Sequence, residues 1–544
     1  MAERRGESAW GKAVDWLYRT CGATLLRKSV TVLAVVAAVV LSLVYIPDWV
    51  NEPDHCAAGV DKSDGECIGV NGSGYDFGTR EIAKVTAAID RENRRIAKKP
   101  HVTVAMMLPL EPKSGADRAQ LRSEVQGAYL AQYQANREEN SPLMRLVLAN
   151  PGADYGQQGK VVDRLKEMAD SPEDNLRAVT GFNLSLASTK EAVDRLTNEL
   201  GIPVLISRAS ADELANSETG KPRYKTLARI IPTNQSQADA LAASRLGLND
   251  RDTVLVKDTR PNDIYNASLA KAFSRKEKGP PGPKDQPFDS PGINEIGNTG
   301  TDFNTIGQNI CLSDAKVIYF AGRPVHLRLF ALKLADQDCH GRKFTIVSGS
   351  GAATLDRYMS DADWKRLGGD GKEPEVTVEY AAPAHPDAWR AELKTWRKDK
   401  RNAGKEDPPV LTQPRDQLAK LDALIKRQGA GDIGDVELDD SRTMLVHDGV
   451  LTISHAVWLA NSQAKKGSVP TLERVAAQWP RLESTNRVSG TSGWICLTNS
   501  GNPYDKPVAV VTLNPRTKKV QFRKIGWPNR TPQPQNCVVP SGTR

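Results

Sequence analysis

Asp448 and His455 stand seven residues apart on one face of a helical segment, with Ser454 beside the histidine. Acid, imidazole and hydroxyl together suit hydrolysis, in which the imidazole takes the proton of an attacking serine. That chemistry also needs the serine held in a strained turn, and the chain has no Gly-x-Ser-x-Gly elbow. A second serine-rich stretch, Ser348-Gly-Ser350-Gly-Ala-Ala, lacks the Lys-Ser/Thr pair of a phosphate loop and the spacing of a dinucleotide fingerprint, so it reads as a turn. Catalysis is therefore not expected. The hydroxyls in Gly181-Phe-Asn-Leu-Ser185-Leu-Ala-Ser188 have two readings that can coexist: capping of the helix that follows, or hydrogen bonding to a bound molecule.

Seven cysteines punctuate the chain, six of them after residue 50: Cys56, Cys67, Cys311, Cys339, Cys496 and Cys537. An even number on one side of a membrane segment suggests disulfides. Of the 15 possible connectivities, the sequence-local one, 56–67, 311–339 and 496–537, is the economical choice, with buried free thiols as the alternative. Zinc is disfavoured, because no Cys-x-x-Cys pair exists and the histidines are scattered. No cofactor is expected. Basic and acidic residues alternate, and a formal net charge of +8 over 544 residues forms no patch with interleaved aromatics, which argues against nucleic acid.

These residues must be positioned by something larger. Ser29 to Ile46 is a charge-free apolar run of 18 residues, long enough to cross a bilayer as one helix. Arg19, Arg27 and Lys28 precede it while Asp48, Glu52 and Asp54 follow, which keeps the N-terminus in the cytoplasm and the body of the chain outside. No Ala-x-Ala-like site follows the run, so an uncleaved anchor is expected rather than a signal peptide.

Beyond a loop-like stretch to about Gly78 and a polar helical segment, apolar strands alternate with amphipathic helices. Val102 to Leu110, Met144 to Ala149, Leu176 to Thr180 and Pro203 to Ile206 read as strands, with helices between them marked by Leu121, Val125, Ala128 and Tyr129, then Val161, Leu165 and Met168, then Val193, Leu196 and Leu200. The alternation resumes with Thr253 to Lys257, Lys316 to Phe320, Phe344 to Val347 and Val376 to Tyr380. Two successive α/β units with parallel sheets follow from this order. Ser274 to Gly297 and Lys394 to Gln413 read as surface loops or disorder, and the chain closes with strands at Gly493 to Leu497, Lys506 to Leu513 and Lys519 to Ile525.

Several local patterns resemble the type I periplasmic binding protein family, specifically the branched-chain amino acid binding proteins of ABC importers. Gly181 to Ser188 matches its Gly-x-x-x-Ser-x-x-Ser/Thr loop, and Ile206-Ser-Arg-Ala209-Ser210-Ala-Asp-Glu-Leu214 is similar to its next loop with one residue fewer. Leu227 to Gln235 resembles the first crossing between lobes; Asp258 to Ala270, with Asn266 where glycine is usual, resembles its Asp-x-x-Tyr-Gly-x-x-Leu-Ala. Ala315 to Gly322 and His447-Asp448-Gly-Val450 match a later strand and a helix motif. The likeness covers roughly Val102 to Ile525.

The resemblance implies an α/β fold: two doubly wound parallel-sheet lobes joined by crossing strands, preceded by the single transmembrane helix. The expected division is a cytoplasmic segment at 1–28, the helix at 29–46, a linker with a cysteine pair and a helix at 47–100, lobe 1 at 101–228 and a crossing at 229–236. Lobe 2 follows at 237–380, a return to lobe 1 with a charged insert at 381–487, and a β-rich segment at 488–544. Hinges are expected near Arg229 to Gln235 and Tyr380 to Pro383. A ligand would be gripped between lobes by Ser185, Ser188, Ala209, Ser210, Tyr265, Arg323 and Ser350, where loops at the carboxyl ends of parallel strands present free N–H groups.

The family's second-lobe acid, which meets an amino acid's ammonium, has no counterpart in Val347 to Ala352. An unpaired buried ammonium is expensive, so a zwitterionic amino acid is not a safe ligand. Arg323, in place of the usual aromatic, either favours an acidic, amide or sugar-like ligand or is a solvated surface residue. The implied role is an extracytoplasmic solute-binding protein at the cell membrane, delivering a small polar ligand to an ABC permease. The alternatives are a receptor domain signalling to a membrane partner and, last, an α/β enzyme.

Overall fold

The computed structural model describes residues 55–138, 142–243, 252–274, 285–369, 373–427, 429–462, 464, 467–534 and 536–540. The chain divides into two units, Met1–Cys56 and Ala57–Arg544, the second holding both large sheets. The apolar run at 29–46 lies outside the described residues, and among those described no helix is long and apolar enough to cross a membrane.

The first sheet contains β1 (Val60–Ser63), β2 (Glu66–Asn71), β3 (His101–Met107), β4 (Leu143–Asn150), β5 (Leu176–Gly181), β6 (Val204–Ile206) and β7 (Leu227–Arg229), in the order β1-β2-β4-β3-β5-β6-β7. From β4 to β7 the pairing is parallel; β1 and β2 are antiparallel additions. The stretch before Gly78 is thus not all loop. Its alternation is short, but β2 buries Ile68 and Val70 and pairs with β4 along its edge.

Four helices serve this sheet: α1 (Ala83–Ile96), α2 (Gly115–Ala135), α3 (Gln158–Asp170) and α4 (Ala187–Asp194). The second sheet takes β8 (Thr253–Asp258), β9 (Gln286–Phe288), β10 (Val317–Ala321), β11 (Lys343–Ser348) and β12 (Glu375–Ala382) in parallel, in the order β9-β8-β10-β11-β12. Its helices are α5 (Asn234–Ala243), α6 (Ile264–Ser274), α7 (Thr299–Cys311), α8 (Pro324–Ala335) and α9 (Asp361–Leu367). Phe288, Phe303, Phe320 and Phe330 interlock in its core, with ring centroids of 4.7 Å for Phe288–Phe303 and 5.3 Å for Phe320–Phe330. Both parallel regions are buried on two faces, which explains the continuous apolar runs of their strands.

Two further expectations need correcting. Part of the Pro-rich insert, Gln286–Phe288, is the edge strand β9, because Phe288 fills the aromatic core. The charged insert is largely helical: α10 (Ala388–Lys398) and α11 (Pro409–Lys426) bury Trp389, Leu393, Val410 and Leu411 against Trp494 and Trp527. The exposed faces carry the charge that made the segment look unstructured. Of the disulfides, Cys311–Cys339 and Cys496–Cys537 are formed as expected, and Cys56 and Cys67 are likewise oxidised.

Helix α12 (Arg442–Asn461) returns to the first lobe and packs along α2. The chain then forms a hairpin, β13 (Val488–Gly490) and β14 (Gly493–Ile495), and crosses once more: β15 (Val508–Asn514) pairs antiparallel with β12, and β16 (Lys519–Gly526) pairs antiparallel with β15 at the edge of the second sheet. Asp448 of α12 fastens this last passage. Its fully buried carboxylate accepts the N–H groups of Thr491 (2.8 Å) and Ser492 (2.7 Å) and both of their hydroxyls (3.0 and 2.5 Å). The buried Lys506 ammonium donates to Ser492 Oγ (3.0 Å) and to the carbonyls of Gly493 and Trp494, and burial lowers its pKa to about 8. His455, seven residues on, stacks on Trp458 with ring centroids 5.4 Å apart. Asp448→Asn removes the counter-charge of Lys506 and half the acceptors of the turn. It is expected to cost about 3 kcal/mol, read as a lower urea midpoint at an unchanged slope.

Candidate functional site

The carboxyl ends of β5 and β6 in one lobe and of β8, β10 and β11 in the other open into a shared cavity of about 680 Å³. The approach to it depends on Gly181. Its φ of +103° is a conformation glycine adopts freely, and a side chain there would strike the Met107 carbonyl of the neighbouring strand. Beyond this turn Phe182 stacks on Tyr155, and Asn183, Leu184 and Ser185 line the cavity.

Of the seven residues singled out from the sequence, Ser185, Ser210, Tyr265, Arg323 and Ser350 line the cavity. Ser185 is not a helix cap, since Leu186 holds that position without side-chain capping. Its Oγ accepts the N–H of Ala211 (3.2 Å), which leaves the hydroxyl proton available. Ser210 Oγ lies 3.5 Å from Ser350 Oγ of the opposite lobe, and the Ser350 N–H donates to Gln237 (2.9 Å). Tyr265 is buried, and its phenolic oxygen accepts the N–H of Gly351 (3.1 Å). Two residues fall away from the cavity lining. Ser188 Oγ donates to the Asp154 carbonyl (2.6 Å), and Ala209 offers its carbonyl to Arg229 (3.3 Å).

Arg323 is not a solvated surface residue. Its guanidinium lies over the Tyr265 ring at 4.9 Å and grips Asp263 through Nε and Nη2, both at 2.8 Å. Arg260 reaches the same carboxylate at 2.6 Å. Burial alone would raise the Asp263 carboxyl, but the two guanidiniums and the N–H of Asn266 hold it below its ordinary range. The lobes already touch here, because the Ser185 carbonyl accepts the N–H of Tyr265 (3.2 Å) and Nη2 of Arg323 (3.4 Å).

A second ionic group in the wall had no local signal. Glu124, midway along α2 and fully buried, accepts Arg442 Nη1 (2.5 Å), Arg208 Nε (3.3 Å) and the Asn183 amide (3.0 Å). Arg208 sits inside the loop motif that drew attention to Ser210, but Arg442, at the start of α12, is 318 residues from Glu124. Burial lowers the Arg208 pKa to about 10, with Arg442 adding repulsion. Among the described residues no cluster of His, Cys, Asp and Glu is suited to a metal ion.

No protein-family model matches the chain, and no curated protein matches it. Solved structures do. The leucine binding protein LivK of Thermotoga maritima is 15% identical over 79% of this chain and 100% of its own, with a TM-score of 0.50. The branched-chain amino acid transporter substrate binding protein LivJ of Streptococcus pneumoniae, solved with isoleucine, is 14% identical over 78% and 99%, with a TM-score of 0.51. The fold is that of the type I periplasmic binding proteins. An ABC transporter solute binding protein of R. palustris, solved with benzoate, shares it at 13% identity over 79% and 96%, with a TM-score of 0.50. In this type I fold the cavity lies between lobes at the carboxyl ends of the strands, where open α/β sheets bind ligands.

Arg323→Ala would leave Asp263 buried with Arg260 as its remaining guanidinium. It should cost about 3–5 kcal/mol. Because Asp263 titrates below its unfolded value of about 3.9, the stability it contributes is complete above that pH and is lost as pH falls through the lower folded value. Without Arg323 the folded value rises toward the unfolded one, so the stability gap between the two chains should be full at pH 7 and narrow as pH falls below about 3.9, which urea unfolding between pH 7 and pH 3 will reveal.

Proposed function

We propose that the chain is an extracytoplasmic solute-binding protein, held at the cell membrane by the apolar run at 29–46, that encloses a small polar ligand between its lobes and delivers it to an ABC importer. The observation that carries this reading is the cavity itself: Ser185 and Ser210 come from one lobe, Tyr265 and Ser350 from the other, and all four line one space. A molecule held there touches both lobes, so its binding is coupled to their closure. The solved relatives in fold that hold isoleucine and benzoate support a solute of that size.

A thermal-shift screen of the purified protein against amino acids, amides, sugars and small acids tests this reading. A true ligand raises the midpoint with concentration by mass action. Ser185→Ala and Ser210→Ala should each weaken that ligand by roughly 3- to 15-fold, the value of one hydrogen bond, in calorimetric titration. Unchanged affinity in both variants would remove these serines from the site.

A further inference from the structure

The Pro-rich insert of the second lobe ends in a strap along the cavity. After β9, Ser290 is pinned to Asp258 through its N–H (3.2 Å) and its hydroxyl (2.7 Å), and His326 Nε2 of α8 donates to the Glu295 carbonyl (2.9 Å). Between these two pins residues 291–294 line the cavity, so the strap is fixed to its own lobe. Its Asn294 amide reaches across the cleft and donates to the Asp117 carboxylate of α2 (3.0 Å).

Asp117 is met by a second group from the same lobe. The Tyr358 hydroxyl donates to its other oxygen (2.6 Å) and accepts the Gln120 amide (3.2 Å) from the next turn of α2. Beside Tyr358, Arg357 pairs with Asp440 (2.9 Å) and with Glu437, both on the segment that leads into α12 of the first lobe. Ser114 Oγ accepts the Asp117 N–H (3.0 Å) and donates to its carboxylate (2.7 Å), which holds that carboxylate in place at the start of α2. Every partner in this set belongs to the chain. Parting the lobes would break these cross-cleft contacts together and return a carboxylate and a guanidinium to water, so they stabilise the closed form alone.

We propose that Asp117 is a latch on which the second lobe closes, so that the chain rests with its lobes together before a solute arrives. The strap gives the insert a place in this device: Pro291 and Ile293 line the cavity while Asn294 fastens it. The consequence for binding rests on the solute-binding reading; the latch itself does not. A molecule that enters a chain already biased toward closure supplies less of the closing free energy, and its affinity and residence time rise with the closed fraction.

The test uses the full chain with no solute added. Hydrogen exchange is followed at two cross-lobe amides that the variants do not touch, Ala187 N–H on the Asn262 carbonyl (3.0 Å) and Tyr265 N–H on the Ser185 carbonyl (3.2 Å), together with the radius of gyration from X-ray scattering. Asn294→Asp sets two carboxylates against each other, and Tyr358→Phe deletes the second donor. Each should speed exchange at both amides by about 10-fold or more and enlarge the radius of gyration. The double variant Asp117→Asn with Asn294→Asp exchanges donor for acceptor, and should bring both readings back toward those of the unaltered chain. Tyr358→Phe keeps the ring and its packing, so its result stands even if a charge variant folds poorly. Exchange raised at residues 114–120 and 290–298 but unchanged at Ala187 and Tyr265 overturns the latch, as does a double variant that exchanges as fast as Asn294→Asp alone. Either result leaves the solute-binding reading standing, since the thermal-shift screen tests it separately.

Discussion

One carboxylate, Glu124, gathers the first-lobe wall of the cleft. It lies in the middle of a helix with no access to water, and an ion so placed is tolerable only if opposite charge and hydrogen bonds surround it. The groups that do so come from three places: Asn183 after β5, Arg208 after β6, and Arg442 at the start of α12. Glu124 therefore fixes the loop that bears Ser185, the loop that bears Ser210, and the helix that returns from the second lobe. Asp263 plays the same part across the cleft, joining Arg260 to Arg323 and through Arg323 to the Ser185 carbonyl.

The crossings are built with similar economy. Arg229 is wholly buried where the chain first leaves the first lobe, and its guanidinium donates to the carbonyls of Ala211 (3.1 Å), Ala209 (3.3 Å) and Ile231 (3.3 Å). Burial lowers its pKa to about 10, still far above physiological pH. One side chain thus ties the first crossing to the loop carrying Ser210. At the last crossing, Asp448 holds the Thr491–Ser492 turn by four bonds. Arg229 thus joins the cavity-lining loop of Ser210, and Asp448 the helix that bears the cavity-lining Arg442, to the segments that lead from one lobe toward the other.

The parallel strands were legible because each is a continuous apolar run between amphipathic helices, and both disulfides of the second half followed from sequence proximity. The serines and Tyr265 were legible through motifs. What escaped has a common physical origin. The α10 and α11 helices bury one stripe, which includes Trp389, Leu393, Leu411, Leu418 and Leu421, beneath faces dense with Lys, Arg and Asp, so composition outweighed periodicity. Glu124, Arg208, Arg442 and Asp263 are charged residues buried in pairs. Charged residues are read as solvated by default, and pairing across 84 or 318 residues leaves no trace in local spacing. Arg323 shows the same limit from the other direction: its type suggested a ligand contact or an exposed side chain, while its place was decided by an aspartate 60 residues away.

Capture of a solute without chemical change is tested most directly by native mass spectrometry of the full chain after exposure to a defined small-molecule extract and exchange into volatile buffer. A single adduct of one compound per chain, released on denaturation with its original mass and depleted in Ser185→Ala, is the expected result. A chain that retains nothing, or releases a compound of altered mass, would contradict it.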